Sequence, residues 1–424
     1  MPDHRLSSQR PVDRAARRVG VFQAHLSGGY MVDDLDGAVR DEALACAIAG
    51  VPYTPPPAQP PLAMHATAAT DLVDGNTVML PEHLGSDESW DVRRNAMSPM
   101  KFVTSFAPPD NHVATLHDNL ETSISRYPKR PCLGTRISNP SGIPGPYTWQ
   151  TYSELGAQRT ALGSGLLHFG ISPRNKVGLY SANCAPWVAM ESACNAYNMP
   201  TVPLYDTLGP DAVQYICNHA ELAAVAVSAA CLPTLLQCLP NCPSVKLVVV
   251  YPHWGAPPGP APAAPTVGVQ VVTVDDLEAA GRAHLRPFVP PAPEDMATIS
   301  YTSGTTGVPK GVVLSHANLI ANAAGNAASI KLLPSDVHVS YLPLAHIYER
   351  VNLVSCLHAG AALGFYRGDV LGLLDDIVEL GPTIFCSVPR LWNRIHDRVR
   401  AAVAEGSAPA RALFDLAYRS KSTA

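Results

Sequence analysis

The sequence predicts an α/β fold built on a mainly parallel sheet, and three observations carry that prediction. Short β-rich runs alternate with helical ones along the middle of the chain, and an apolar strand runs straight into a glycine- and hydroxyl-rich turn. At 424 residues and 47% hydrophobic composition, the chain can also bury a large core.

The alternation opens at Thr151-x-x-Glu154, a capping box that starts a helix with Leu155, Leu162 and Leu166 along one face. Gly170 ends it. A strand over Val177 to Tyr180, a helix over Trp187 to Tyr197 and a strand over Thr201 to Leu204 follow, then a helix over Ala212 to His219 and a strand over Ala223 to Val227. Lys246 to Tyr251 and Val269 to Val274 read as further strands, separated by a Pro/Gly/Ala surface loop from Pro252 to Pro265. Thr298 to Thr302, Val337 to Leu342, Ala361 to Phe365 and Thr383 to Ser387 complete the set of strands. Gly381-Pro382 stops one helix, and Pro389 opens the next, because proline is tolerated only in a helix's first turn.

Residues 1–95 read differently: runs such as Pro55-Pro56-Pro57 and a scarcity of periodic apolar patterns predict a leader with little regular structure. Its opening holds Arg5, Arg10, Arg14, Arg17 and Arg18 against Asp3 and Asp13, the bias of a targeting signal.

Composition excludes several function classes. The formal net charge of −5 is small and dispersed, with no basic stripe for a phosphate backbone, so nucleic acid is not expected as a partner. Ten scattered cysteines predict buried thiols; Cys231, Cys238 and Cys242 lie close together but lack the paired spacing of zinc ligands. The most apolar stretch, Leu222 to Leu236, is broken by Ser228 and Pro233, short of the ~18 apolar residues a span needs, so any membrane contact is peripheral.

The richest stretch is Tyr301-Thr302-Ser303-Gly304-Thr305-Thr306-Gly307-Val308-Pro309-Lys310-Gly311. Glycines let a backbone approach a polyanion, hydroxyls donate to phosphate oxygens, and a lysine adds a positive point charge. Together they predict a pyrophosphate cradle. Lys310 follows a proline and precedes Gly311, so this is not the G-x-x-x-x-G-K-[ST] loop of ordinary P-loop NTPases.

Tyr301 to Asn318 resembles the signature of the adenylate-forming superfamily of acyl-CoA synthetases, luciferases and peptide synthetase modules. Tyr341-Leu342-Pro343-Leu344-Ala345-His346-Ile347-Tyr348-Glu349-Arg350 and Ser387-Val388-Pro389-Arg390-Leu391-Trp392-Asn393-Arg394-Ile395 are similar to the long-chain fatty acid branch, in particular the plant peroxisomal synthetases. The resemblance spans roughly residues 96–424 and implies a partial N-terminal large domain of that fold.

What the resemblance implies is a long-chain fatty acid–CoA ligase. A fatty acid carboxylate attacks the α-phosphate of Mg-ATP to give acyl-adenylate and diphosphate, and coenzyme A then displaces AMP. Thr302, Ser303, Gly304, Thr305, Thr306, Gly307 and Lys310 would hold the β- and γ-phosphates, with Thr302 also beside Mg²⁺ and His346 walling the acyl site. Arg350, Arg390 and Arg394 could meet phosphate or acidic substrate groups, but they and Glu349 are expected to be solvated helix charges. The family's Tyr-Gly-x-Thr-Glu block, its ribose-gripping aspartate and its small C-terminal domain are expected beyond Ala424, so the chain alone is expected to be inactive as a ligase. The alternative is a non-catalytic nucleotide- or acyl-binding regulatory fragment. Arg18-Val19 followed after five residues by His25-Leu26 resembles an N-terminal peroxisomal signal and implies an import receptor as partner; the cytosol is the alternative location.

Overall fold

The computed structural model describes residues 72–73, 77–79, 93–95, 103–139, 143–252, 267–302 and 309–422. They fall into two compact units, one of residues 104–380 and one combining residues 1–103 with 381–424. The latter holds three short antiparallel strands, β1 (Leu72–Val73), β2 (Thr77–Met79) and β3 (Arg93–Asn95), inside the stretch where the sequence predicts little regular structure. It also holds the helices Pro389–Glu405 and Ala408–Ser422, the first opening on Pro389 as expected. The expected strand at residues 383–387 is reduced to a single bridge at Ile384. The signal of Arg18 to Leu26 and most of the loop from Pro252 to Pro265 lie outside the described residues.

In the unit of residues 104–380 the alternation is realised as two sheets. Its strands are β4 (Pro131–Ser138), β5 (Pro144–Thr151), β6 (Lys176–Tyr180), β7 (Thr201–Leu204), β8 (Leu222–Ser228), β9 (Leu247–Tyr251) and β10 (Gln270–Thr273). β11 (Met296–Thr302), β12 (Lys310–Ser315), β13 (Val337–Ser340) and β14 (Ala362–Phe365) complete them. The larger sheet has the order β10-β9-β8-β6-β7-β11-β12, parallel throughout except for the last, antiparallel pair. The smaller runs β13-β14-β4-β5, also closed by an antiparallel pair.

Sequence explains the arrangement. β9 is buried at every position, as a central parallel strand covered on both faces must be. The capping box forms, with the Thr151 hydroxyl accepting from the Glu154 amide and the Glu154 carboxylate accepting from the Thr151 amide. Gly170, at φ +83°, takes the left-handed turn after that helix, Tyr152–His168. This helix lies against the helix Val274–Ala283 through paired glycines. A Cβ on Gly281 would stand 1.8 Å from the Ala161 carbonyl oxygen, and one on Gly165 would stand 2.3 Å from that of Leu277. Only bare backbone fits there. From β6 the chain crosses to β7 on one side, whereas β8, β9 and β10 build out on the other, so the strand order reverses between β6 and β8.

Candidate active site

β11 carries the chain from the sheet interior to its surface. Thr298 is fully buried, Tyr301 is 7% exposed and Thr302 is exposed. β12 returns antiparallel in a register that pairs Thr302 with Lys310 and Tyr301 with Gly311. Directly opposed residues put their side chains on one face, so the Thr302 hydroxyl and the Lys310 ammonium stand together on the exposed side. Ser303, Gly304, Thr305, Thr306 and Gly307 lie outside the described residues.

On the opposite face the Tyr301 ring lies across Gly311. A Cβ at Gly311 would stand 2.8 Å from Ile299 Cγ2 and 3.2 Å from Tyr301 Cζ, so a larger residue there must displace Ile299 and press on the tyrosine ring. The Tyr301 hydroxyl meets His219 Nδ1 at 2.6 Å. Burial pushes that phenol up to about 12, so it keeps a proton to donate. Tyr215, stacked on His219 with ring centroids 5.2 Å apart, donates its hydroxyl to the Pro309 carbonyl at 3.3 Å. Both residues sit on the helix Pro210–His219 and escaped the sequence reading; their spacing of four, on one helix face, is the signal that was there to find.

His346 caps the helix Ile347–Ala359, its exposed ring accepting from the Tyr348 amide through Nδ1 at 3.1 Å. The segment before it is held by Asn183, which sequence reasoning also missed. This buried amide donates to the Ser340 hydroxyl at 3.0 Å and to the Leu342 carbonyl at 2.7 Å, and accepts from the Leu344 amide at 2.7 Å.

Arg350 and Glu349 correct the expectation of solvated charges. Arg350 is 1% exposed. It forms an ion pair with Glu191 and donates to the hydroxyls of Thr298 at 2.7 Å and Thr201 at 3.3 Å, its guanidinium 5.6 Å from the Trp187 ring centroid. Burial pushes the Glu191 carboxyl above its ordinary value and the guanidinium opposes that shift. Glu349 is fully buried and meets His338 Nε2 at 2.9 Å. The reason is position: both residues lie in the first turn of a helix buried on nearly every side, where a charge persists only with a partner. Arg390 and Arg394 are exposed, as expected. The structure thus joins Thr302 to Lys310 through the hairpin and reaches the His346 helix through Arg350, which bonds to β11 four residues before Thr302.

At the carboxyl ends of β6, β8 and β9, beside the reversal of strand order, lies a cavity of about 220 Å³ lined by Asp206, Ser228, Cys231 and Tyr251 among others. Such a reversal opens a crevice in parallel sheets. The Tyr251 hydroxyl is buried without a hydrogen-bond partner. Cys231, Cys238 and Cys242 are buried free thiols, and no cluster of metal-ligating side chains occurs among the described residues.

The chain matches the family model described as AMP-binding enzyme over residues 120–419. It is 48% identical over 352 residues to the Long chain acyl-CoA synthetase 7, peroxisomal, of Arabidopsis thaliana, covering 83% of this chain and 49% of that one. Over 318 residues it is 38% identical to the Long-chain-fatty-acid–CoA ligase 1 of Cavia porcellus, covering 73% and 44%. The chain spans about half the length of the curated relatives it matches. Among solved structures, the adenylation domain of a carboxylate reductase from Mycobacterium chelonae superposes with a TM-score of 0.61 at 22% identity, over 71% of this chain and 51% of that one. That likeness speaks for the fold alone.

Proposed function

This chain belongs to the AMP-binding enzymes, and from that membership we propose that it carries the nucleotide-handling part of a long-chain fatty acid–CoA ligase. The reaction consumes ATP, a long-chain fatty acid and coenzyme A and yields acyl-CoA, AMP and diphosphate through an acyl-adenylate. The single observation behind this reading is the hairpin register that sets Thr302 opposite Lys310 on an exposed face. A polyanion lying over that face meets a hydroxyl donor from one strand and a cation from the other.

In this reading Thr302, Ser303, Gly304, Thr305, Thr306, Gly307 and Lys310 receive the β- and γ-phosphates. Nucleotide-bound Mg²⁺ keeps several waters and takes only one or two protein oxygens, a demand the Thr302 hydroxyl fits. The ion would neutralise phosphate charge there. His346 borders the acyl site, and its cap bond fixes its Nδ1 as an acceptor. Residues 96–424 form the large domain and residues 1–95 a leader.

Calorimetric titration of the 424-residue chain with Mg-ATP tests the site. Saturable binding is expected, weakened roughly 10- to 100-fold in Lys310→Ala, the loss of one charge-assisted hydrogen bond. Absence of any binding would remove the reading.

Relatives named as peroxisomal and the Arg18 to Leu26 pattern together support delivery to the peroxisome by an import receptor. Residues 1–40 fused to a fluorescent reporter are expected to direct it to peroxisomes, and a diffuse cytosolic signal would count against this. No helix among the described residues is long and apolar enough to cross a membrane.

A further inference from the structure

We infer that Tyr215 and His219 are positioning residues for the nucleotide, holding Thr302 and Lys310 in place from behind the hairpin. The inference rests on the proposed nucleotide site and adds to it a second element that sets its geometry.

The two contacts are placed symmetrically about the site. His219 holds the hydroxyl of Tyr301, the residue before Thr302, at 2.6 Å; Tyr215 holds the carbonyl of Pro309, the residue before Lys310, at 3.3 Å. One helix face therefore grips both strands immediately behind their exposed, ligand-facing residues. The two rings stack at 5.2 Å with planes 15° apart, so each limits the rotation of the other.

The hairpin needs such a grip. Its own ladder pairs Thr302 with Lys310, but β12 is the last strand of the sheet, with Val312 and Val313 44% and 56% exposed. β11 is registered on β7 at Thr298, four residues short of Thr302. Two-stranded ribbons twist more than sheets do, so an overhanging hairpin end drifts unless something beyond the ladder fixes it. The Tyr215 and His219 contacts are what fixes it, and Gly311 leaves room for the Tyr301 ring to reach the helix. Phosphate recognition is sensitive to such drift, because a hydroxyl and an ammonium displaced by an ångström no longer meet the same oxygens.

Mg-ATP titrations of the full chain carrying Tyr215→Phe, His219→Ala or His219→Asn, each paired with a thermal unfolding curve, test this. Tyr215→Phe and His219→Ala are each expected to weaken Mg-ATP binding about 5-fold, as for one lost hydrogen bond, while shifting the unfolding temperature by no more than ~2 °C. His219→Asn, whose amide oxygen can accept from Tyr301 in place of Nδ1, is expected to return affinity to within about 2-fold of the parent. If the parent chain binds Mg-ATP and all three variants bind it equally well, the positioning role is overturned while the nucleotide site stands. If affinity falls only with a collapse of unfolding temperature that asparagine does not repair, the contacts are structural and the inference is likewise overturned. A parent chain that binds no nucleotide sinks the site itself, and this inference with it.

Discussion

Arg350→Met is expected to lower the unfolding free energy of the chain by about 3 to 5 kcal/mol. Methionine fills much of the space of the arginine stem but leaves Glu191, 6% exposed, without its counter-charge. It also removes the donors that reach Thr298 and Thr201, so β11 loses its tie to the helix Ile347–Ala359. The dominant cost is the stranded carboxylate, and this has a pH signature. Burial already raises the Glu191 carboxyl against the opposition of Arg350, and without the guanidinium it rises further. A carboxyl whose folded pKa exceeds the unfolded value of ~4.3 binds its proton more tightly in the folded chain. Its stability contribution is then present at and below the unfolded value and is lost as pH climbs toward the folded one. The deficit of Arg350→Met should therefore be smaller at pH 5 than at pH 8 in urea unfolding. Adding Glu191→Gln should recover at least half of it. A deficit independent of both pH and Glu191 would show that lost packing, not a buried charge, is responsible.

Gly281→Ala is expected to destabilise by about 3 kcal/mol, at the upper end of what overpacking usually costs. Alanine in place of glycine within a helix ordinarily stabilises by roughly 0.5 to 1 kcal/mol, so the sign itself is diagnostic. Here the added carbon would meet the Ala161 carbonyl oxygen at 1.8 Å and the Gly165 amide nitrogen at 2.7 Å, both backbone atoms that no rotamer change can move. The helices Tyr152–His168 and Val274–Ala283 must separate to admit it. Gly325→Ala, inside the helix His316–Ser329 with nothing within 4 Å of its Cβ position, is the control and should show the ordinary gain. Thermal or urea unfolding of the two variants side by side checks the pair, and a shared sign would refute the close approach.

The strands that sequence reasoning found share a physical cause. β8 and β9 are apolar at nearly every position because both faces are covered, and such runs stand out. β12 was missed because it is an edge strand whose exposed and half-buried positions along Lys310–Ser315 follow no period. Its absence from the reading hid the hairpin, and with it the pairing of Thr302 with Lys310. β5 was hidden by Pro144, Gly145 and Pro146, which argue against a strand, yet an edge strand admits proline and β5 is the edge of its sheet. Arg350 was misread because its partners Glu191 and Thr201 lie 159 and 149 residues upstream, a separation no local pattern encodes. The phosphate-turn residues were legible for the opposite reason, since their chemistry is packed into one short run.

Eight of the nine cysteines among the described residues are buried. Sulfur reacts with peroxides and alkylating reagents as the thiolate, and an apolar surrounding withholds that form. Burial pushes the Cys184 thiol, which is only half-buried as a residue, up to about 11, and it raises Cys132, Cys194 and Cys356 as well. The native chain thus offers oxidants little nucleophilic sulfur at these positions. Uptake of a thiol reagent by them consequently counts the molecules that have opened, a chemical clock for unfolding built into the core.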